Sequence, residues 1–515
     1  MSRGDRGGWA IGRSARAFAL VALAAVTLSA AAFAAEVAVK GSGSGSASAS
    51  GSASGSVNGN AHVGVGAGYA TMETALIEAY VNNPQLNSQR AATRAVDENV
   101  SIALAGYRPR VSGTSSLTEQ YLDTLTKGGT DPKTATPLYV QSKGASAISN
   151  FGLTATQTLF NGFQTSNRTR QAEGQVFAAR ETLRNVEQST LLNAATVYMN
   201  LLQNAALLEL QRSNVNVLEV TLRQTRDRFA AGEVTRTDVA QAESSLAQGR
   251  SQLSIAESNY VTARAQYTQV VGVPAPLRIS PAAPVDRLSP RTVEAAVGRA
   301  RSEHPTITTA MYNVDVALQQ VKIAEGALSP TLAAVGNVQK QYGSTTNNVQ
   351  LEALAAGVAA QLTVPIYQGG AEYSTIRQSK ETLGQRRLDL DSARDQVISG
   401  VIQAWGQLDA AKAAINSTQA QVTAAEVALN GVREEARVGQ RTTLDVLNQQ
   451  QTLVNARSAL VTAQRDRVVA SYAVLAAVGS LSPQILALKV PVYDPMVHYQ
   501  QVRDVWGGVR APDGR

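Results

Sequence analysis

The sequence of 515 residues contains no cysteine, which excludes disulfide bonds, thiolate metal ligands and a lipid anchor on cysteine. Histidine is almost as scarce. His62, His304 and His498 stand far apart, and no two of them have the spacing of a metal site. No glycine-rich phosphate loop follows a strand, and no nucleophile lies in a recognisable elbow. We therefore expect no cofactor, no bound metal and no enzyme activity.

Long apolar runs are missing after the first residues. The N-terminus carries four arginines, then apolar residues from Ala17 to Phe33 and two small residues, which is typical of a secretory signal peptide over residues 1–34. An uncleaved membrane anchor is the alternative, although the run is short for a membrane span. Nothing later offers about 18 consecutive apolar residues. If the mature chain enters a membrane, it has to do so as β-strands.

The charge balance excludes another class of partner. The formal net charge is +7, and removal of residues 1–34, with four arginines and one aspartate, lowers it to +4. No cluster of Lys and Arg with interleaved aromatic residues is present, so we expect no nucleic-acid binding. Residues 35–70 are rich in Gly and Ser, cannot bury a core and are predicted to be a flexible linker.

Proline is absent from two long windows, between Pro137 and Pro274 and between Pro365 and Pro483. Ala, Gln, Leu, Arg and Val dominate both windows, which indicates long helices. Their apolar residues are small and recur at spacings of three and four, so the helices are expected to pair closely along a narrow seam. The predicted long helices cover about 163–229, 237–272, 370–436 and 443–478.

Other segments alternate apolar and polar residues, which indicates strands. The predicted strands cover about 110–122, 147–160, 331–342 and 353–366. Lengths near 10 to 13 residues suit tilted membrane strands. Tyr107, Phe160 and Tyr367 are expected at the helix side of the strands, and Tyr121, Tyr139 and Tyr342 at the loop side. Because four strands cannot close a membrane barrel, several copies are expected to share one.

The sequence contains an internal repeat. Gly162 and Gly369, Gly232 and Gly439, and Asp238 and Asp445 are each 207 positions apart, whereas upstream landmarks such as Pro84 and Pro305 are 221 apart. The first copy therefore has 14 additional residues, which we assign to a surplus loop around Lys127–Lys133. The predicted units are repeat 1 over 71–272, a connector over 273–300, repeat 2 over 301–479 and a C-terminal segment over 480–515, each repeat with a short helix, two strands and two long helices.

This order of elements resembles the TolC-type outer-membrane channel family, which serves efflux and type I secretion. The segment Val438–Asn448 carries the resemblance most specifically, and the closing residues from Val490 to Trp506 add to it. The resemblance implies a mixed fold, in which long coiled-coil helices form a periplasmic tunnel and a homotrimer shares a twelve-stranded transmembrane β-barrel. The connector and the C-terminal segment would form an equatorial belt around the middle.

The same resemblance implies where functional residues lie. Asp445 falls on an aspartate that faces the pore at its closed end, and Asn448 replaces a second acidic residue there. Arg441, Thr237 and Asp238 match residues of a gate latch. Tip residues that would contact the adaptor are Gly232, Val234, Val438 and Gly439. An alternative for Asp238 and Asp445 remains open, because each follows a threonine by three residues and fits a helix capping box.

The function expected from this resemblance is a passive exit duct in the outer membrane of a Gram-negative bacterium. Its partners would be outer-membrane lipid, a periplasmic adaptor (membrane fusion protein) and an inner-membrane ABC or proton-driven transporter. Type I protein secretion is the leading interpretation, and multidrug or small-molecule efflux is the alternative. A periplasmic coiled-coil scaffold without a pore is the alternative from another class.

Overall fold

The computed structural model describes residues 71–344 and 350–512 of the chain. The expectations for the signal peptide and the linker fall outside these residues. The helices are α1 (Met72–Asn82), α2 (Pro84–Leu104), α3 (Gln164–Ala230), α4 (Arg236–Val271), α5 (Val293–Glu303), α6 (Pro305–Gly326), α7 (Ala371–Arg437), α8 (Thr443–Val478) and α9 (Pro495–Val502). The strands are β1 (Arg110–Thr130), β2 (Pro137–Asn161), β3 (Thr331–Ser344) and β4 (Gln350–Thr363).

Two short helices, rather than one, precede each pair of strands. Asn83 and His304 end one helix and cap the next, in both cases followed by proline at the first helical position. The Asn83 side chain accepts from the backbone N of Leu86, and His304 Nδ1 accepts from the backbone N of Thr306. The second of these helix pairs begins inside the predicted connector, since α5 starts at Val293.

The long helices occur as two hairpins of equal reach. α3 and α7 each have 67 residues, and α4 and α8 each have 36. At about 1.5 Å per residue, α3 and α7 are about 100 Å long. Every bound in the second hairpin is 207 positions beyond its counterpart in the first. Leu, Val and Ala fill the seams between the paired helices, as in the cluster of Val422, Ala425, Leu429, Leu453 and Ala456.

The four strands form one antiparallel sheet in the order β1-β2-β3-β4. The predicted surplus loop is wrong for most of its length, because β1 continues to Thr130 and β2 begins at Pro137. Tyr121, predicted at the loop end, consequently lies mid-strand, opposite Ala145. β2 pairs with β3 only from Ile148 onward, so the first strand pair extends beyond the second.

The two faces of the sheet differ in chemistry. Val111, Ala155, Gly336 and Val358 form one row across the sheet, and the next row on this face joins Gly113, Leu153, Val338 and Ala356. The intervening row, on the opposite face, joins Ser112, Thr154, Asn337 and Gly357. Apolar side chains on the first face are exposed, with Val111 at 71% and Val358 at 88%. The part of the chain that the structure describes therefore leaves an apolar sheet face uncovered.

The largest core lies where the middle of α3 and the C-terminal half of α8 meet α1, α4 and the C-terminal segment. Tyr198, Leu201 and Leu475 are fully buried there, together with Tyr267 and Tyr472. Tyr198 Oη donates to the carbonyl of Ser280 at 2.6 Å. Burial raises the pKa of Tyr198, Tyr267 and Tyr472 to about 12.

None of the helices within residues 71–344 and 350–512 is both long and apolar enough to cross a membrane.

Candidate functional site

The predicted site residues lie at the two turns where the long helices reverse. In the first turn, Gly232 has a φ of 79° and its N donates to the carbonyl of Phe229 at 2.9 Å. In the second turn, Gly439 has the same φ of 79° and its N donates to the carbonyl of Ala436 at 3.3 Å. A left-handed residue at this place satisfies carbonyls at the helix end, and glycine adopts that conformation without a Cβ clash. Sequence and geometry therefore agree on why glycine occupies both tips.

Asp238 and Asp445 sit in equivalent capping boxes. Asp445 Oδ2 accepts from the backbone N of Thr442 at 3.0 Å and from Thr442 Oγ1 at 2.9 Å. Asp238 Oδ2 accepts from the same two atoms of Thr235 at 2.9 and 2.7 Å. These bonds from threonine lower the pKa of both carboxyls, and Arg441 adds a smaller lowering at Asp445. Both side chains are therefore negatively charged at neutral pH, and each closes a helix start.

Among the described residues of one chain, the side chain of the predicted latch residue Arg441 bonds to neither of the other two. Arg441 Nε donates to Glu435 Oε2 at 2.9 Å, and among the described residues no hydrogen bond joins it to Thr237 or Asp238. Thr237 is exposed, as is Asn448 one turn after Asp445. Glu435 did not stand out in the sequence, because nothing in a helical pattern indicates which charge an arginine beyond the turn will reach.

A groove of about 890 Å³ separates the two hairpins near their tips. It is lined on one side by Val220, Asp227 and Arg228 of α3, and on the other by Arg433, Arg437 and Val446 of α7 and α8. Of the predicted tip residues, Val438 is 71% exposed and Val234 is half-buried. The groove residues were missed in the sequence, since periodicity does not show which faces of two hairpins oppose each other.

Arginine bonds between the two helices of each hairpin occur at equivalent positions. The pairs are Arg250–Glu219 at 2.9 Å and Arg226–Glu243 at 2.6 Å in the first hairpin, and Arg457–Glu426 at 2.7 Å and Arg433–Gln450 at 3.0 Å in the second. Gln450 thus stands where the first hairpin has a glutamate. Arg433, which lines the groove, is left with a neutral hydrogen-bond partner.

The two described histidines, His304 and His498, lie at separate places and do not form a site. Burial lowers the pKa of His304 to about 4, so this capping residue is neutral at physiological pH. His498 Nδ1 lies 3.0 Å from Asp97 Oδ2 at a separate place, and His62 is outside the described residues. Across the described part of the chain, no three His, Asp or Glu side chains are grouped as metal ligands.

Comparison with known proteins gives consistent similarities. The profile of the outer membrane efflux protein family matches residues 75–273 and 296–480. Outer membrane efflux protein BepC of Brucella suis biovar 1 (strain 1330) is 41% identical over 445 residues, which cover 86% of this chain and 93% of that protein. Outer membrane protein TolC of Escherichia coli (strain K12) is 27% identical over 438 residues, covering 81% of this chain and 84% of that protein.

A solved structure has the same fold. The outer membrane protein VceC of Vibrio cholerae superposes with a TM-score of 0.64 at 20% identity, covering 79% of this chain and 96% of that one. The two chains therefore share their arrangement of long helices and strands.

Proposed function

Because this chain belongs to the outer membrane efflux protein family, as its resemblance predicted, we propose that it is an outer-membrane exit duct of a tripartite export system. The uncovered apolar face of the sheet is the observation that supports this most strongly. Leu153 is 59% exposed and Val358 is 88% exposed on that face. A soluble protein rarely leaves so large an apolar face open to water, whereas a lipid bilayer covers it.

The open edges of the sheet argue for a homotrimer. Among residues 71–344 and 350–512, β1 and β4 each have one side without a partner strand. In lipid, these backbone groups would stay unpaired unless β1 of one copy meets β4 of the next. Three chains then supply the twelve strands of one closed barrel, and the two helical hairpins of each chain supply a twelve-helix tunnel in the periplasm.

The helix turns provide a candidate constriction for this tunnel. In a trimer, three copies of Asp445 would form an acidic ring, with Asn448 one turn further into the helix. Like charges at one constriction attract counter-ions, so the closed end favours cations. We propose that Arg441 of one copy reaches Thr237 and Asp238 of the next as a latch, since no such bond forms within one described chain.

We propose two protein partners for the duct. A periplasmic adaptor would contact the exposed tips at Gly232, Val234, Val438 and Gly439 and enter the groove between the hairpins. An inner-membrane ABC or proton-driven transporter would supply the energy. The N-terminal residues 1–34 would be removed during export of the chain, which N-terminal sequencing of the mature protein checks.

Cysteine cross-linking tests the shared barrel, because the chain has no native cysteine. Thr114→Cys on β1 is combined in turn with Ala353→Cys, Ala355→Cys or Gly357→Cys on β4. Within one chain these strands are three spacings apart, about 14 Å, which is too far for a disulfide. We expect at least one pair to give a disulfide-linked, heat-modifiable trimer in the outer-membrane fraction.

The same preparation separates the duct from a scaffold. A monomer, or a rod released by osmotic shock with no cross-linked species, would contradict the duct and favour a periplasmic coiled-coil scaffold.

For the substrate, we propose type I protein secretion, on the resemblance of the closing segment from Val490 to Trp506. Small-molecule efflux is the second candidate, because the 41% identical relative is described as an efflux protein. A deletion strain assayed both for extracellular proteins and for drug sensitivity separates the two. Loss of a secreted protein with unchanged drug sensitivity supports secretion, and the reverse result supports efflux.

A further inference from the structure

The C-terminal segment packs along α2 and runs toward the sheet. The backbone N of Tyr493 donates to Tyr80 Oη at 3.2 Å, and the guanidinium of Arg90 covers the rings of Tyr80 and Tyr493 at 4.4 and 5.3 Å. Further along, His498 bonds to the fully buried Asp97. Tyr80 lies on α1, whereas Arg90 and Asp97 lie on α2; from Tyr493 to His498 the partners on α2 advance from Arg90 to Asp97, so the segment and α2 run side by side.

The segment ends beside the base of the sheet, where β1 begins. Arg108, two residues before β1, donates from Nη1 to the carbonyl of Val505 at 2.6 Å. The same guanidinium lies 4.7 Å from the ring centroid of Trp506. A single arginine thus fixes both the backbone and the ring at this end of the segment. Val505 and Trp506 therefore lie beside the residue that leads into β1, at the base of the sheet.

Three residues at this end of the segment are apolar and exposed. Trp506 is 74% exposed, Val505 is 48% exposed, and Val509 is fully exposed. Within the described chain, the surroundings bury neither the indole nor Val509. Tryptophan prefers the boundary between lipid headgroups and acyl chains, because its ring is apolar and its N–H needs a polar partner.

Other aromatic side chains are exposed at the same junction between sheet and helices. Phe163 is 69% exposed and Tyr367 is 77% exposed, and both lie between a strand and a long helix. Phe163 has a left-handed backbone with a φ of 61°, and its ring meets that of Phe160 edge-on at 5.5 Å. The position 207 residues later is Gly370, with a φ of 82°. A strained conformation that presents a phenylalanine outward indicates a use for the ring at this level.

Basic residues accompany these aromatic rings. Arg110 opens β1, and Arg168 and Arg170 lie in the first two turns of α3; all three are exposed. Guanidinium groups at this level suit the phosphates of lipid headgroups, while the aromatic rings suit the first carbons of the acyl chains.

We propose that the segment from Val505 to Val509 is an interfacial membrane anchor. Trp506 and Val509 insert into the headgroup boundary of the phospholipid leaflet nearest the helices, and Arg108 holds the segment in place. This inference rests on the proposed function, because a leaflet is present at this level only if the sheet crosses the outer membrane. The anchor would be a second attachment to lipid, separate from the strands and made by the C-terminal segment.

Bromolipid quenching tests the anchor in the full-length protein. Trp405→Phe leaves Trp506 as the only tryptophan once residues 1–34 are removed. The trimer is reconstituted into vesicles of phosphatidylcholine and phosphatidylglycerol, with and without bromine on the acyl chains. We expect the brominated lipid to reduce the Trp506 emission about two-fold, because bromine quenches only a ring at lipid depth. If Trp405→Phe does not fold, the difference between the wild type and Trp506→Phe reports the same signal.

Two controls make the result specific. Trp506→Phe leaves Trp405, which packs against a helix core of α5, α7 and α8, and its emission is expected to be unchanged by bromine. Arg108→Gln, in the Trp405→Phe background, is expected to lower the quenching of Trp506, whereas Arg110→Gln leaves it unchanged. Equal quenching in both variants would overturn the holding role of Arg108.

Co-flotation with the vesicles separates the two ideas. If the trimer floats but Trp506 is quenched by acrylamide and not by bromine, the ring lies in water and the anchor is overturned while the duct stands. If neither agent quenches it, a neighbouring copy covers the ring, which also overturns the anchor. If the protein does not float, the proposed function fails, and the anchor fails with it.

Discussion

At the scale of single residues, Asp445 combines a capping bond with a proposed position in the pore. We expect Asp445→Ala to lower cation selectivity in planar-bilayer recordings, because a trimer loses three charges at its constriction. Asp238→Ala loses the same two bonds from a threonine at the other turn; because Asp238 is also a proposed latch residue, it serves as the control for cation selectivity and not for opening. Selectivity that is unchanged in Asp445→Ala, or equally reduced in both variants, would contradict an acidic ring.

The pH dependence follows from the same geometry. The bonds from Thr442 lower the pKa of Asp445 below its ordinary value of 3.8. A carboxyl with a lowered pKa keeps its charge until the pH falls through that lower value. We expect cation selectivity to persist from neutral pH down to about pH 4 and to disappear only in stronger acid. Bilayer recordings at stepwise lower pH check this, and a loss near pH 6 would mean that repulsion between the three carboxylates, or another group, outweighs the bonds from Thr442.

The tip glycines differ from glycines inside the helices. Gly439→Ala places a Cβ at a φ of 79° and is expected to cost about 1 kcal/mol. Gly431→Ala, on an exposed and unobstructed site within α7, is expected to stabilise by about 0.5 kcal/mol. Thermal unfolding followed by circular dichroism measures both. A cost for both variants would mean that the positive φ is not what makes Gly439 necessary.

At the scale of elements, the narrow seam of each helical hairpin sets how closely the helices approach. Ala425 is buried in the seam of α7 and α8, with 6% of its surface exposed, whereas the adjacent Ala424 is exposed. Ala425→Leu is expected to destabilise by about 1 to 3 kcal/mol, because the added methylene groups force the helices apart. Ala424→Leu keeps the same helix propensity and serves as the control. Equal unfolding midpoints in denaturant would contradict a tightly packed seam.

Helix positions could be predicted from the sequence more accurately than strand ends. Proline-free windows and glycine tips mark α8 over Thr443–Val478, the range that the sequence predicts. The strands were predicted too short at the loop side of the first pair, because Leu122 to Thr130 lacks an alternating apolar face. Backbone pairing between β1 and β2 extends that hairpin without such a pattern, as Asp123 and Lys143 pair across it at 3.1 Å.

At the scale of the whole molecule, three buried tyrosines link stability to alkaline pH. In the unfolded chain Tyr267 and Tyr472 lose their protons near pH 10.0, but in the fold their pKa is about 12. Between these values the unfolded chain holds fewer protons, so stability falls as the pH rises. We expect the denaturant midpoint to drop steeply from about pH 10 to about pH 12, and less steeply in Tyr472→Phe. Parallel slopes would assign the loss to other groups.

The sequence could not predict which surfaces of the two hairpins oppose each other. Val220 and Val446 line the groove between hairpins from opposite sides, yet each reads as an ordinary apolar helix position. The same holds for Trp506, whose place beside Arg108 depends on a segment that folds back over about 400 positions of chain. Such contacts arise from tertiary packing, and local periodicity carries no record of them.

The pairing of β2 with β3 sets an order of assembly. Asn161 pairs with Thr331, and Ile148 pairs with Gly343, partners that lie 170 and 195 positions apart. The β1–β2 hairpin is local in sequence and is expected to form first, whereas the other edge of β2 can pair only after α3, α4, α5 and α6 have been synthesised. Until that pairing forms, β2 has an open apolar edge that can pair wrongly, so we expect slow folding and a higher yield when a chaperone protects this hairpin.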